Sequence, residues 1–414
     1  SRTEYVVSGG AGRVTDYHRD VRGRAIIVDP PEPPVSFLAY DNSRQLLAKG
    51  LYSSVGSIDI DVHDPRTYTT GRLALNEHAY DERGQRYERV LHEIDDTNGS
   101  SDDTLTYDYW YDERGLLLKS QEELIQKRAY DALGRMTHQY IVATDGTAYS
   151  DAESVTGDIV VEERRWIYEA GNDYLIHEIQ LSRHHDDYGT GETTGSLEKS
   201  GTIYGRVQQR ATWYDSLGRI ADVVDLGTYG DQFYPRTSNP TSPPSRSDTA
   251  LRATYHHDDF GRLYELEDPR GIVGRIEYDD AGRRETVTQN YNDGIPNGTD
   301  EDRVIRYAYD NGLLETITQD VPAGQTDRVT TYVYGTTVGT SAGESRIATE
   351  HLLQEIEDPE GNSEFYAYNA QGERYWREDK AGNTFEMEID GAGRMRAEDM
   401  TPVTGFDDAV LRRA

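Results

Sequence analysis

The chain contains no cysteine, which rules out disulfides and thiol chemistry and leaves no redox compartment to be read from it. It is also poor in lysine. Lys49, Lys119, Lys127, Lys199 and Lys380 carry the only ammonium side chains, and the rest of the 43 basic residues are arginine. Positive charge is in deficit as a whole: 76 acidic residues give a formal net charge of −33, which excludes a nucleic-acid partner held through its phosphates. No apolar run approaches the roughly 18 residues of a membrane-spanning helix, and Ser1-Arg2-Thr3-Glu4-Tyr5 has no leader character, so no membrane insertion is expected of this segment. Because the sequence begins and ends in strand-like stretches, it reads as a piece of a longer polypeptide.

Hydrophobic residues make up 35% of the 414, a low fraction that would fit a disordered chain. The 31 tyrosines argue otherwise, because solvated disordered segments are poor in aromatics. Charge of this sign favours solubility and a cationic partner. The arginine bias has two explanations left open: a base-composition bias of the source, or a use for a planar cation that pairs with Asp and stacks on Tyr.

The tyrosines recur in a pattern. Tyr278-Asp279-Asp280-Ala281-Gly282-Arg283 repeats His257-Asp258-Asp259-Phe260-Gly261-Arg262 at a distance of 21 residues. Asp at the first position of a type I turn accepts hydrogen bonds from amides two residues on, and Gly at the fourth takes the left-handed conformation that returns the chain as a strand. Each copy therefore predicts a hairpin corner, flanked by half-buried strands of five or six residues. The predicted corner residues are Asp81 and Gly84, Asp112 and Gly115, Asp131 and Gly134, Asp215 and Gly218, Asp258 and Gly261, Asp279 and Gly282, Asp310 and Gly312 (one residue short), Asn369 and Gly372, and Asp390 and Gly393. An earlier copy, Tyr40-Asp41, has Arg44 where Gly is expected. A second series without the Tyr, Asp268-Pro269-Arg270-Gly271, Asp358-Pro359-Glu360-Gly361 and Asp379-Lys380-Ala381-Gly382, is offset by about half a repeat, implying two turns per unit, one at each sheet edge. Such a unit cannot bury its apolar face alone and needs neighbours on both sides.

These motifs resemble the RHS or YD-repeat family, whose signature is Tyr-Asp-x-x-Gly-Arg followed by Asp-x-x-Gly; the resemblance covers nearly the whole chain. It implies an all-β fold: a spiralling antiparallel β-strip of hairpins forming part of a hollow shell, without a separate globular domain. Such shells occur in bacterial polymorphic toxins, insecticidal toxin complexes and teneurins, some enclosing a toxin domain of the same chain and others serving attachment. Asp268-Pro269-Arg270-Gly271-Ile272 matches only the start of the family's end-of-core motif and lies mid-chain, so no catalytic residue is carried over.

The expected organisation is a strip with diverged copies over 1–226, a Pro/Ser/Thr-rich loop over 227–248, a strip with regular copies over 249–400 and a tail over 401–414. The expected function is that of a structural, non-enzymatic segment of a larger secreted or cell-surface protein, enclosing or displaying another part of its parent chain. A glycan-binding or cell-contact module and a carboxylate-dependent carbohydrate-active enzyme are the alternatives. No cofactor is expected. His184-His185-Asp186-Asp187 and His256-His257-Asp258-Asp259 have donors suited to zinc or manganese, but turn chemistry explains them more simply. The loops from Asp95 to Asp103 and from Asn297 to Asp302 have calcium-type oxygen ligands without EF-hand spacing. Tyr80, Tyr111, Tyr130, Tyr214, Tyr278, Tyr309 and Tyr368 share one register, from which ring stacking between successive strands is expected to hold the strip together.

Overall fold

The computed structural model describes residues 15–30, 32–56, 58–60, 62–143, 149–186, 194–236, 242–297, 300–391, 393–403 and 411–413. Among them the fold is all-β, with one helical turn, Tyr149–Ala152, as the sole α-helix. The chain divides into two compact units, 1–218 with 224–242, and 219–223 with 243–414.

In the first unit each strand pairs antiparallel with the next, from Asp16–Arg19 and Ala25–Asp29 through Val35–Tyr40, Leu46–Tyr52, Arg72–Tyr80, Arg86–Ile94 and Ser101–Tyr111. The ladder goes on through Leu117–Gln121, Ile125–Tyr130, Met136–Val142, Val160–Tyr168 and Leu175–Arg183 to Gly205–Tyr214, before which Glu198–Lys199 and Thr202–Ile203 pair with each other outside the ladder. Short connections and alternating side chains make nearest-neighbour hairpins the cheapest way to satisfy the backbone.

One face of this sheet is covered by the chain's own excursions. The loop between Leu46–Tyr52 and Arg72–Tyr80 folds back so that Ile27, Val35, Phe37 and Tyr52 pack with Val55, Ile58 and Tyr68. The buried Tyr52 hydroxyl donates to the carbonyls of Pro65 and Tyr68. Further along, Val142, Val160, Ile179, Leu181, Leu197 and Val207 form a second buried cluster, with Val155, Ile203 and Phe233 against it. Part of the weak repeat pattern between Val142 and Gly201 thus has a physical reason: around Val155 and Leu197 the chain packs over the sheet, while Val160–Tyr168 and Leu175–Arg183 are strands within it.

The second unit carries a like ladder: Leu251–His257, Leu263–Glu267, Val273–Tyr278, Arg284–Gln289, Arg303–Asp310, Leu313–Gln319 and Arg328–Thr336. Thr349–Glu357, Ser363–Tyr368, Arg374–Glu378, Thr384–Ile389, Met395–Thr401 and Leu411–Arg413 complete it. The last of these strands lies in the stretch read from sequence as a tail. The segment read as a loop over 227–248 is shared between the two units, and its first half is fastened down, with Arg236 only 2% exposed.

Candidate functional site: the row of hairpin corners

Asp258 shows how a corner is built. Its amide donates to the Arg262 carbonyl at 2.9 Å, and its own carbonyl accepts the Gly261 amide at 2.9 Å. Its Oδ1 accepts the amides of Phe260 at 3.0 Å and Arg262 at 2.8 Å, while Oδ2 accepts Arg262 Nε at 2.7 Å. Gly261 has φ +85°, where a β-carbon would crowd the following carbonyl. The corner is therefore a three-residue type I turn closed by a left-handed glycine.

Asp81, Asp112, Asp131, Asp215, Asp279, Asn369 and Asp390 occupy the same position: the amides of Gly84, Gly115, Gly134, Gly218, Gly282, Gly372 and Gly393 reach their carbonyls at 2.9 to 3.1 Å. At the diverged copy Arg44 itself takes the glycine conformation, with φ +74°. Asp310 departs from the expectation: it ends a strand opposite Leu313, and Asn311 and Gly312 alone make the turn, with φ +47° and +86°. A two-residue turn with both φ positive favours Asn-Gly, and the Asp310 carboxylate accepts the Asn311 side-chain amide at 3.2 Å. The second series forms the same turns, with the Gly271, Gly361 and Gly382 amides donating to Asp268, Asp358 and Asp379.

The corners are tied to their neighbours by three recurring contacts. Each register tyrosine donates its hydroxyl to a carbonyl of an earlier strand: Tyr80 to Leu46, Tyr111 to Arg86, Tyr130 to Leu117, Tyr214 to Leu175, Tyr278 to Leu263, Tyr309 to Arg284 and Tyr368 to Leu353, at 2.7 to 3.1 Å. Arginines that close a corner lie over the tyrosine of a later one, Arg262 4.3 Å from the Tyr278 ring centre and Arg283 4.2 Å from that of Tyr309. Corner arginines also donate to the next corner's backbone, as Arg24 does to Asp41 and Arg219 to Asp258. The expectation of ring-on-ring stacking is corrected by these contacts. Among the register rings Tyr214 stacks on Tyr174 at 4.5 Å, whereas Tyr278 and Tyr309 each lie under a guanidinium, a partner that both stacks and hydrogen-bonds and that Tyr40 and Tyr168 take as well.

Charge follows the same design. Burial pushes the Asp258 and Asp279 carboxyls up, but the amides and guanidinium groups of Arg262 and Arg283 outweigh it and hold both below the usual value. At Asp358 the Asn362 amide dominates, with help from the Asn362 side chain and Lys380, and the carboxyl is held down at about 2. Where the corner residue is Asn369, the partner changes too: Asn369 Nδ2 donates to Glu373 at 2.7 Å, reversing donor and acceptor.

Other candidate sites place their carboxylates on the chain itself. Asp302 accepts the amides of Asn292 and Gly294, and Asp300 pairs with Arg303. Asp95 accepts the amide and hydroxyl of Thr97 and the amide side chain of Asn98. His256 lies 3.9 Å from Glu265 across the strand pair, while Asp258 caps its corner. Asp187 and the two residues after it lie outside the described residues. Among the described residues no three His, Asp or Glu side chains converge as a metal site would require.

Sequence reasoning missed a buried polar layer in the first unit. Lys127, 2% exposed, donates to Asp158 Oδ2 at 2.6 Å and to the Ser154 carbonyl. Glu163, fully buried, accepts Arg165 Nε, Ser196 Oγ and the Leu197 amide. These charges sit on strands and, apart from Arg165, meet partners on excursions about 30 residues away in sequence, so no local spacing announces them. Nor did the sequence show that most corners are followed by a bulge, such as the shift between Ala79 and Tyr80, which leaves Tyr87 unmatched.

No family model matches the chain, and no curated protein does. Solved structures are similar along nearly all of it. That of TcdB2-TccC3-Cdc42 is 14% identical, over 97% of this chain and 21% of its own, with a TM-score of 0.24. That of TcdB2-TccC3 without the hypervariable C-terminal region is 11% identical, over 96% and 22%, with a TM-score of 0.28. The Photorhabdus luminescens Tc holotoxin pore with the TccC3 D651A mutation is 12% identical, over 95% and 27%, with a TM-score of 0.19. The chain thus spans between a fifth and three tenths of the length of the chains it resembles. At these scores no residue role is transferred, and the fold rests on the strand pairing above.

Proposed function

We propose that this chain is a structural shell segment of the RHS type, which encloses or displays another part of its parent polypeptide outside the cell and catalyses no reaction. One observation carries this reading: the Asp-Gly-Arg corner and its tyrosine recur along both units with their polar groups directed at the next hairpin, as in a wall that grows by repetition. Its partner is accordingly the rest of its own polypeptide, and its acidity keeps a large β surface soluble. Limited proteolysis of the parent polypeptide tests the proposal. The segment beyond the strip resists cleavage while the strip is folded and becomes sensitive when corner glycines are replaced by valine; equal sensitivity in both would overturn it.

A binding-module reading has one feature in its favour. On the uncovered face of the first unit, Trp166, Arg164, Glu178, Gln180, Gln208 and Arg210 line a shallow cleft of about 250 Å³. A ring beside amides and guanidinium groups is suited to sugar hydroxyls. Binding of the isolated chain to a glycan array, lost in Trp166→Ala, would favour this reading over encapsulation.

A further inference from the structure

The segment 229–236 is held on the first unit's sheet by Gln209, backed by a histidine whose second ring nitrogen has no acceptor. Gln209, 2% exposed, fixes the arrangement: its Nε2 donates to the Gln232 carbonyl at 2.8 Å, and its Oε1 accepts the Tyr234 amide at 2.9 Å. The same Oε1 lies 3.1 Å from His177 Nε2, so that nitrogen carries the proton and donates. His177 is 1% exposed, and its Nδ1 is buried without a hydrogen-bond partner. Tyr234 meets the imidazole edge-on, and Trp213 lies between Tyr234 and the Arg236 guanidinium, which is 4.1 Å from the Trp213 ring centre.

The groups around His177 do not welcome a cation. On its neighbouring strands it stands opposite Ile167 and Ala211. From the segment come Tyr234 and the positive Arg236, whose guanidinium donates to the carbonyls of Ile176 and Thr212. Arg165, two pairs further along the sheet, is bound to Glu163, and Glu163 is held by Ser196 and Leu197 as well. Glu169 and Tyr214 bear on Arg236.

We propose that His177 is a proton-sensitive latch: protonation at Nδ1 places a second positive charge beside Arg236 with no acceptor, and 229–236 leaves the sheet, uncovering Trp213. Burial, against the opposing Gln209 bond and with Arg236 adding to it, holds His177 down at about 4, so the closed form is the neutral one.

Hydrogen exchange of the whole chain, followed peptide by peptide between pH 7 and pH 4 and corrected for intrinsic rates, tests this. Peptides over 229–236 are expected to lose protection at least tenfold below pH 5 while strands such as Val273–Tyr278 keep theirs. In His177→Gln, which has no ionisable ring, 229–236 should keep its pH 7 protection down to pH 4. Gln209→Ala should loosen the same peptides already at pH 7. Uniform loss of protection across the chain, pH-independent protection of 229–236 in the wild type, or an unchanged transition in a folded His177→Gln protein would each overturn the latch.

Discussion

The Arg262 guanidinium grips the corner it closes, through Asp258 at 2.7 Å, and at the same time lies 4.3 Å from the ring centre of Tyr278, the tyrosine that opens the next corner. Two hairpins are thereby joined by one side chain. Tyr278 returns the tie by donating to the Leu263 carbonyl, the residue after that arginine.

This tie predicts a measurable coupling. Arg262→Ala and Tyr278→Leu should each destabilise the second unit, and a double-mutant cycle in urea should give a coupling of about 0.5 to 1 kcal/mol, as for a partly exposed cation over a ring. Arg262→Lys should recover only part of it, because an ammonium cannot stack and grip the carboxylate together. Additive effects would show that the contact is incidental.

The corner glycines predict changes of opposite sign at two positions. Gly282→Val, at φ +81°, should cost about 1 kcal/mol or more, although Arg262 Nη1 alone stands near the added β-carbon, at 3.4 Å. Arg44→Gly should stabilise by about 0.5 to 1 kcal/mol, because the arginine occupies a left-handed conformation at an exposed corner. Thermal melts of the two variants check both signs.

Why the corners were legible and the buried layer was not follows from these same residues. Asp258 and Gly261 are three positions apart and do their work within one turn, so composition at fixed spacing reveals them. Their neighbours' tyrosines were visible for the same reason, but the partner of each ring was not, since Leu263 or Arg284 contributes only a carbonyl and any residue has one. Lys127 and Asp158 are 31 positions apart, and Glu163 and Leu197 are 34 apart; only the tertiary fold brings them together. At Asp310 the missing residue was visible, but the change of turn type that it brings was not drawn from it.

Acid should weaken the corners in a defined window. Asp20, Asp112, Asp131, Asp258, Asp268, Asp279, Asp358 and Asp379 all have folded-state carboxyls held below the ordinary 3.8. A depressed carboxyl contributes stability that is complete above the unfolded value and is lost as pH falls through the folded one. The loss should therefore begin near pH 4 and continue toward the value of about 2 held by Asp358. Urea midpoints measured from pH 6 to pH 2 check this, and Asp358→Asn should flatten the slope. A decline complete above pH 5 would assign acid sensitivity to other groups.

The buried pair Lys127 and Asp158 gives the sharpest stability prediction. Both side chains are nearly sealed from water, at 2% and 7% exposure, and 2.6 Å apart, so removing either leaves the other's charge without this counter-ion. Lys127→Met should cost about 3 to 5 kcal/mol, because Asp158 then either keeps its buried charge without the ammonium or takes up a proton. Asp158→Asn should cost less, since its amide oxygen still accepts from the ammonium. Replacing both, with Lys127→Met and Asp158→Leu, should recover much of the loss, as apolar isosteres pay no desolvation. Chemical denaturation of the three proteins decides the matter: if the double variant is no more stable than Lys127→Met alone, the pair holds the excursion over 149–159 by something other than its charge.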